Sequence, residues 1–280
     1  METKHFRVVG GDRRQRALAS ALKEDGHEVH TFALAMEGDT LAGVEHDDCV
    51  ILPLPVMKGG LLYTPLEAVP YDLREILDRM KRGQLLLAGM AGEELKTMAA
   101  ERGLLLLDYF AREELTIRNA VPTAEGAIRM AMELLPITIH GARILILGFG
   151  RVGKALALRL KGLGALVWTA ARSPAQRAEA ECEGLNAADL SRLPHLLPTF
   201  DLVINTVPAP LLGRGELSAV GSEVPVIDLA SAPGGVDLDA ASALGVKVLT
   251  APGLPGKEAP LTAARYIRDT VYQMMEELGV

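Results

Sequence analysis

Three glycines at fixed spacing carry the clearest chemistry in the sequence. Gly148-Phe149-Gly150-Arg151-Val152-Gly153 fits G-x-G-x-x-G. The run follows a strand-like apolar segment, Arg143–Leu147, and opens a helix-like one, Lys154–Lys161. The first glycine allows a tight turn, the second lets backbone approach a pyrophosphate, and the third lets helix and strand pack closely. Free N–H groups and the dipole at the helix start favour phosphate charge. These six residues predict a dinucleotide-binding turn. The next strand ends in Ala170-Ala171-Arg172-Ser173-Pro174, with no Asp or Glu to hold a ribose 2′-hydroxyl. Arg172 and Ser173 suit a 2′-phosphate by charge and hydrogen bonding, so NADP is expected ahead of NAD. Ser173 also reads as a helix N-cap followed by a first-turn proline. Asp201–Pro208 is a buried strand running into polar residues, and Asn205, Thr206, Val207 and Pro208 would edge the nicotinamide side. Asp228, near the end of Val224–Leu229, reads as a ligand contact or a loop-capping carboxylate.

The first half offers cations instead of a full glycine motif. Gly10-Gly11-Asp12-Arg13-Arg14-Gln15 lacks the third glycine. Two adjacent arginines at a helix start suit a carboxylate or phosphate. Pro53-Leu54-Pro55 reads as a stiff cleft wall. There are six histidines, and none lies near Asn205, Ser231 or Gly253, where a cofactor-side acid or base would sit. His27 and His30 read as structural. H-x-x-x-H, C-x-x-C and G-x-S-x-G spacings are absent, so neither a metal site nor a nucleophile elbow is expected. The remaining polar candidates are Arg13, Arg14, Lys58, Asp108, Tyr109, Arg112, Thr116, Asn119, Glu125 and Lys257. This cation-rich set suits an acidic, dicarboxylic substrate.

The elements that must position these residues alternate from end to end. Apolar runs at Phe6–Val9, Val29–Leu34, Cys49–Leu54, Gln84–Ala88 and Leu104–Leu107 are separated by helix-like stretches, and the pattern repeats after Arg143. Continuous apolar runs between amphipathic helices predict parallel sheets covered on both faces. With 280 residues, about two domains are expected. The fold class is α/β, with two doubly wound, Rossmann-like parallel-sheet domains, the second a true NAD(P)-binding one. The expected boundaries are a substrate domain at 1–122, a dinucleotide domain with a leading linker helix at 123–260, and a helix at 261–280 packing back on the first domain. Thr123 would cap the linker helix, Ala124–Leu135, and Pro136 would stop it. A net charge of −7 excludes a chain-wide basic field for nucleic acid or anionic lipid. The apolar runs are too short to span a bilayer. Two cysteines and a start without an apolar leader imply no disulfide framework and a cytoplasmic setting. A homodimer is the default expectation.

Five segments together resemble a known family: GGDRRQ at 10–15, LPLP at 52–55, DYFAREELTIRNAVPTAEGA at 108–127, GFGRVGKALA at 148–157 and APGLPGKEAPLTAA at 251–264. The family is that of dipicolinate synthase A subunits, and the resemblance covers essentially the whole chain. The architecture is also similar to alanine and 2-hydroxy-acid dehydrogenases, which place a cleft between two α/β domains. The resemblance implies oxidation of dihydrodipicolinate, or its hydrated precursor, to dipicolinate in the mother cell of a sporulating bacterium. A hydride passes to NADP and an aromatic ring forms. In that family the A chain is accompanied by a second, flavoprotein-like B subunit. Gly148, Gly150, Arg151 and Gly153 sit on the matching motif as cofactor residues. Asp108, Tyr109 and Glu125 are candidates for the base that takes the ring proton. Arg13, Arg14 and Asn119 are assigned to the substrate by chemistry and motif position. Two other readings stay open. One is another amino-acid or 2-hydroxy-acid dehydrogenase, and the missing histidine counts against the hydroxy-acid version. The other is a regulatory subunit that holds the nucleotide for a partner.

Overall fold

The computed structural model describes residues 2–231 and 233–280. The chain forms two compact units, one of Met1–Asn119 with Pro255–Val280 and one of Ala120–Leu254. In chain order the first contains β1 (His5–Val9), α1 (Arg13–Glu24), β2 (Glu28–Phe32), β3 (Cys49–Ile51), β4 (Met57–Lys58), β5 (Leu61–Leu62), α2 (Leu73–Leu77), β6 (Leu85–Ala88), α3 (Glu93–Glu101) and β7 (Leu105–Asp108). Helix α4 (Glu113–Leu134) leads into the second unit. There follow β8 (Arg143–Leu147), α5 (Arg151–Gly162), β9 (Leu166–Ala170), α6 (Pro174–Cys182), β10 (Asn186–Ala188), α7 (Leu193–Leu196), β11 (Leu202–Asn205), α8 (Arg214–Leu217), β12 (Val226–Asp228), α9 (Leu238–Leu244) and β13 (Val248–Thr250). Helices α10 (Leu254–Glu258) and α11 (Pro260–Leu278) return the chain to the first unit.

Both main sheets are parallel, and their inner strands, such as β3, β6, β11 and β12, are buried on both faces and need a helix layer on each side. The first runs β2-β1-β3-β6-β7. Phe6, Val8, Cys49, Ile51, Leu85 and Leu87 face a cluster containing Leu18 and Leu22 of α1 with Ile267 and Val271 of α11. Val9, Val50, Leu52, Leu86 and Ala88 face the α2–α3 layer. Fully burying each Leu, Ile or Val contributes about 1.5–3 kcal/mol. Helix α11 is further tied to α1 through Asp25, which lies 3.2 Å from Arg268 and accepts from the Tyr272 hydroxyl at 2.8 Å. The second sheet runs β10-β9-β8-β11-β12-β13. In this arrangement the strand order reverses between β8 and β11, and ligands sit at the carboxyl ends of the strands there.

Helix α4 differs from the expected linker helix. It begins at Glu113 and runs through Pro122, so Thr123 lies inside it and is not its cap. An interior proline costs about 3 kcal/mol. Leu115, Ala120, Ala124, Ala127 and Ala131 are buried along the helix, and that packing holds it continuous. The helix stops before Pro136, as expected.

Candidate functional site

A cavity of about 630 Å³ opens at the carboxyl ends of β8, β9 and β11. Residues 148–152, 170–173 and 206–211 line it, with Gln176 and Leu190. Each glycine of the motif has a distinct geometric reason. Gly148 adopts φ +93, and a Cβ there would lie 2.7 Å from Thr206 Oγ1. Its N–H donates to the Ala170 carbonyl at 2.8 Å, joining the turn to β9. Gly153 packs its Cα against the same turn, where a Cβ would sit 2.3 Å from the Gly148 carbonyl oxygen. Gly150, the N-cap of α5, is different: a Cβ there meets nothing within 4 Å. The turn, the open side of Gly150 and the start of α5 fit a dinucleotide pyrophosphate. Phe149 lines the cavity, and at 1% exposed it packs into the core cluster of this unit. Arg151 and Val152 line the cavity at the first turn of α5.

The end of β9 is held by a residue that motif reading missed. Arg177 Nη1 donates to the carbonyls of Ala171 and Arg172, both at 2.8 Å, and to Asp189 at 2.6 Å. The Ser191 N–H and hydroxyl, with Arg177 beside them, hold the Asp189 carboxyl below the usual carboxylate range. The Arg172 backbone is thereby fixed. Its side chain is exposed at the cavity and has no hydrogen-bonding partner among the described residues. Ser173 caps α6, accepting from the Gln176 N–H at 3.5 Å. The helical register of Arg177 was visible in the sequence, but its carbonyl targets were not.

Thr206 donates from its backbone N–H and its hydroxyl to the Leu147 carbonyl, at 3.0 and 2.8 Å. Thr206, Val207 and Pro208 form the cavity wall. Asn205 and Asp228 do not line that cavity, and neither does Gly153. Asn205 is fully buried and clamps Val207, accepting from its N–H and donating to its carbonyl, both at 3.1 Å. Its Nδ2 also donates to Asp228 Oδ1 at 2.8 Å. Asp228 accepts further from the N–H groups of Ala230 and Gly235, each at 3.1 Å. The two residues therefore brace the loops at this end of the sheet and are not contacts within the cavity.

In the first unit the candidates separate. Arg13 is exposed, with no hydrogen-bond or ion-pair partner among the described residues. Arg14 is 5% exposed and engaged: Nη2 lies 2.8 Å from Asp12 and donates to the Leu54 carbonyl at 2.6 Å. Gly256 lies so close that a Cβ would sit 2.7 Å from Arg14 Nε. Arg14 thus ties three segments together. The Gly10–Gly11 turn is covered by its own chain, because Gly11 N–H donates to the Tyr63 carbonyl at 2.7 Å. Tyr63, missed by the sequence reading, stands beside this turn, and burial, then the Asp12 charge, pushes its phenol up from its ordinary value.

The base candidates do not form one cluster. Tyr109 is fully buried, and its hydroxyl donates to the Leu52 carbonyl at 2.9 Å. Burial raises its pKa above the ordinary phenol value. Glu125 is exposed on α4, 3.9 Å from Arg159, beside a shallow groove between α4 and α5, and does not line the dinucleotide cavity. Asp108 is half-buried at the end of β7 and accepts from the N–H groups of Met90 (3.1 Å), Ala91 (2.8 Å) and Phe110 (2.8 Å). A carboxylate has about four lone-pair sites, so one stays open. Asn119 is half-buried on α4. Arg112 joins Glu277 through two bonds of 2.7 and 2.6 Å, and is structural. Among the described residues no group of His, Cys, Asp and Glu could hold a metal ion, and no helix is long and apolar enough to cross a membrane.

Comparison with known proteins decides the family. The chain is 31% identical over 283 residues to the dipicolinate synthase A subunit of Bacillus subtilis (strain 168), covering 97% of this chain and 95% of that protein. The chain belongs to the dipicolinate synthase A subunit family. Residues 5–110 match the family described as the N-terminal domain of the dipicolinate synthase A subunit. Residues 106–236 match D-isomer specific 2-hydroxyacid dehydrogenase, NAD binding domain, which supports a nicotinamide cofactor in the second unit. The crystal structure of the dipicolinate synthase A subunit from Bacillus halodurans is similar at TM-score 0.90 and 31% identity, covering 98% of this chain and 99% of that one. An L-alanine dehydrogenase shares the fold at TM-score 0.64 and 16% identity, covering 97% of this chain and 90% of its own.

Proposed function

We propose that this protein oxidises dihydrodipicolinate, or its hydrated precursor, to dipicolinate with NADP during sporulation. The observation that carries the reading is the whole-length similarity to the dipicolinate synthase A subunit. A nicotinamide dinucleotide, when bound, accepts the hydride. Aromatisation of the dihydropyridine would remove one ring hydrogen as hydride and a second as a proton, and the hydrated precursor would also lose water. The ring becomes aromatic, so alignment supplies much of the rate. The chain's own part is to seat the pyrophosphate on the 148–153 turn and the 2′-phosphate on Arg172 and Ser173. Arg13 and Asn119 remain as substrate contacts, and Asp108 as acceptor of the ring proton. A flavoprotein-like B subunit is the proposed partner, a homodimer the proposed assembly and the mother-cell cytoplasm the proposed location.

The test is a coupled assay. Dihydrodipicolinate is generated in place from pyruvate and aspartate semialdehyde, the pure chain and NADP are added, and dipicolinate is followed by terbium luminescence. Product above the spontaneous rate supports the reading, and an Asp108→Asn variant with unchanged turnover removes that residue. Product only when the B subunit is added transfers the chemistry to a shared site. No product in either case removes the reaction.

A further inference from the structure

The carboxyl end of β12 holds a buried carboxylate without a countercharge. Asp228 is 5% exposed. Its partners are the Asn205 amide and the N–H groups of Ala230 and Gly235, all neutral donors. Among the described residues no Lys, Arg or His pairs with it. The chain closes tightly over the pair. A Cβ at Gly235 would lie 2.2 Å from Asn205 Nδ2, and one at Gly234 would lie 3.1 Å from Asp228 Oδ2. A buried charge is costly, and a neutral acceptor could brace the same loops.

The position of the charge gives it a use. In a sheet ordered β10-β9-β8-β11-β12-β13, the adenosine half of a dinucleotide lies toward β9 and the nicotinamide half toward β11 and β12. Here Arg172 and Ser173 stand on the β9 side of the cavity and Thr206–Pro208 on the other. The oxidised nicotinamide ring carries a positive charge that the reduced ring lacks. A fixed, desolvated negative charge acts on that difference.

We propose that Asp228 biases this site toward the oxidised dinucleotide through its uncompensated charge, while Asn205 transmits its position to Val207. The proposal rests on the reading that a nicotinamide dinucleotide is the cofactor. Asp228 is a positioning and electrostatic residue here, not a catalytic one.

The experiment is calorimetric titration of the full chain with NADP⁺, NADPH and 2′-phospho-ADP-ribose, which lacks the nicotinamide. The wild type binds NADP⁺ more tightly than NADPH. In Asp228→Asn the ratio of the two affinities falls about fivefold or more, and the affinity for the fragment changes less than twofold. Equal weakening of all three ligands makes Asp228 a loop brace alone and overturns the proposal. If the variant does not fold, the wild type decides: NADPH bound as tightly as NADP⁺, or more tightly, overturns it. Failure of the wild type to bind any of the three overturns the cofactor reading itself, a result distinct from equal affinity for both redox forms.

Discussion

Gly150 and Gly153 are three residues apart and make opposite demands, which alanine substitution separates. At Gly153 a Cβ would lie 2.3 Å from the Gly148 carbonyl oxygen, whereas real Cβ contacts essentially never fall under 3.0 Å. Backbone must therefore move by at least 0.7 Å, the difference of those two distances. Forced overpacking of this kind costs about 3 kcal/mol. At roughly 2–4 °C per kcal/mol, melting of Gly153→Ala falls by about 6–12 °C. At Gly150 the added methyl meets nothing within 4 Å. Alanine at the N-cap costs about 0.5–1 kcal/mol, and the lower entropy of the unfolded chain returns about 0.4–1 kcal/mol. Gly150→Ala should therefore melt within a degree or two of the wild type. Its methyl occupies the face where a pyrophosphate approaches, so NADP affinity falls at least about tenfold, or about 1.4 kcal/mol. Differential scanning fluorimetry and calorimetric titration read the two effects. A Gly150→Ala protein that binds like the wild type, or a Gly153→Ala protein that melts like it, refutes the division of roles.

Removing the Arg172 guanidinium by Arg172→Ala should weaken NADP about tenfold and leave NAD affinity unchanged; equal loss of both ends the 2′-phosphate assignment. Arg7 is 1% exposed, lies 2.7 Å from Asp47 and donates to the carbonyls of Thr40 and Ala42. Arg7→Met strands a buried carboxylate and should cost about 3–5 kcal/mol in urea unfolding, partly restored in Arg7→Met/Asp47→Asn; a loss under about 1 kcal/mol contradicts the pairing. His27 is 7% exposed between the Phe6 and Tyr272 rings, and burial lowers its pKa from the ordinary 6.5. The unfolded chain binds that proton at a higher pH than the folded one, so stability falls as pH drops below about 6.5 and rises with pH across that window. His27→Gln should flatten this part of a melting-temperature profile between about pH 5 and 7, and an unchanged slope counts against His27 as the source.

Both parallel sheets and the dinucleotide turn were legible in the sequence because their causes are local. Apolar runs of strand length set β1 to β3, β6 to β9 and β11 to β13, whereas the short edge strand β10, Asn-Ala-Ala, carries no such run, and G-x-G-x-x-G demands one backbone shape whatever surrounds it. Arg172 was legible for the same reason: its place at a strand end follows from chain order. Side chains whose role depends on distant partners were not. Tyr109 looked like a candidate base until the Leu52 carbonyl, 57 residues away, took its hydroxyl. Arg14 looked free until Asp12, Leu54 and Gly256 closed around it. Asn205 and Asp228 stand 23 residues apart, and only the pairing of β11 with β12 brings them together. The sequence by itself determined the fold class, the phosphate turn and the charge at the end of β9, since backbone conformation and periodicity encode them. Tertiary structure alone decided which polar side chains stay available for chemistry. A buried donor or acceptor must find a partner, and that partner comes from whichever segment the fold lays against it.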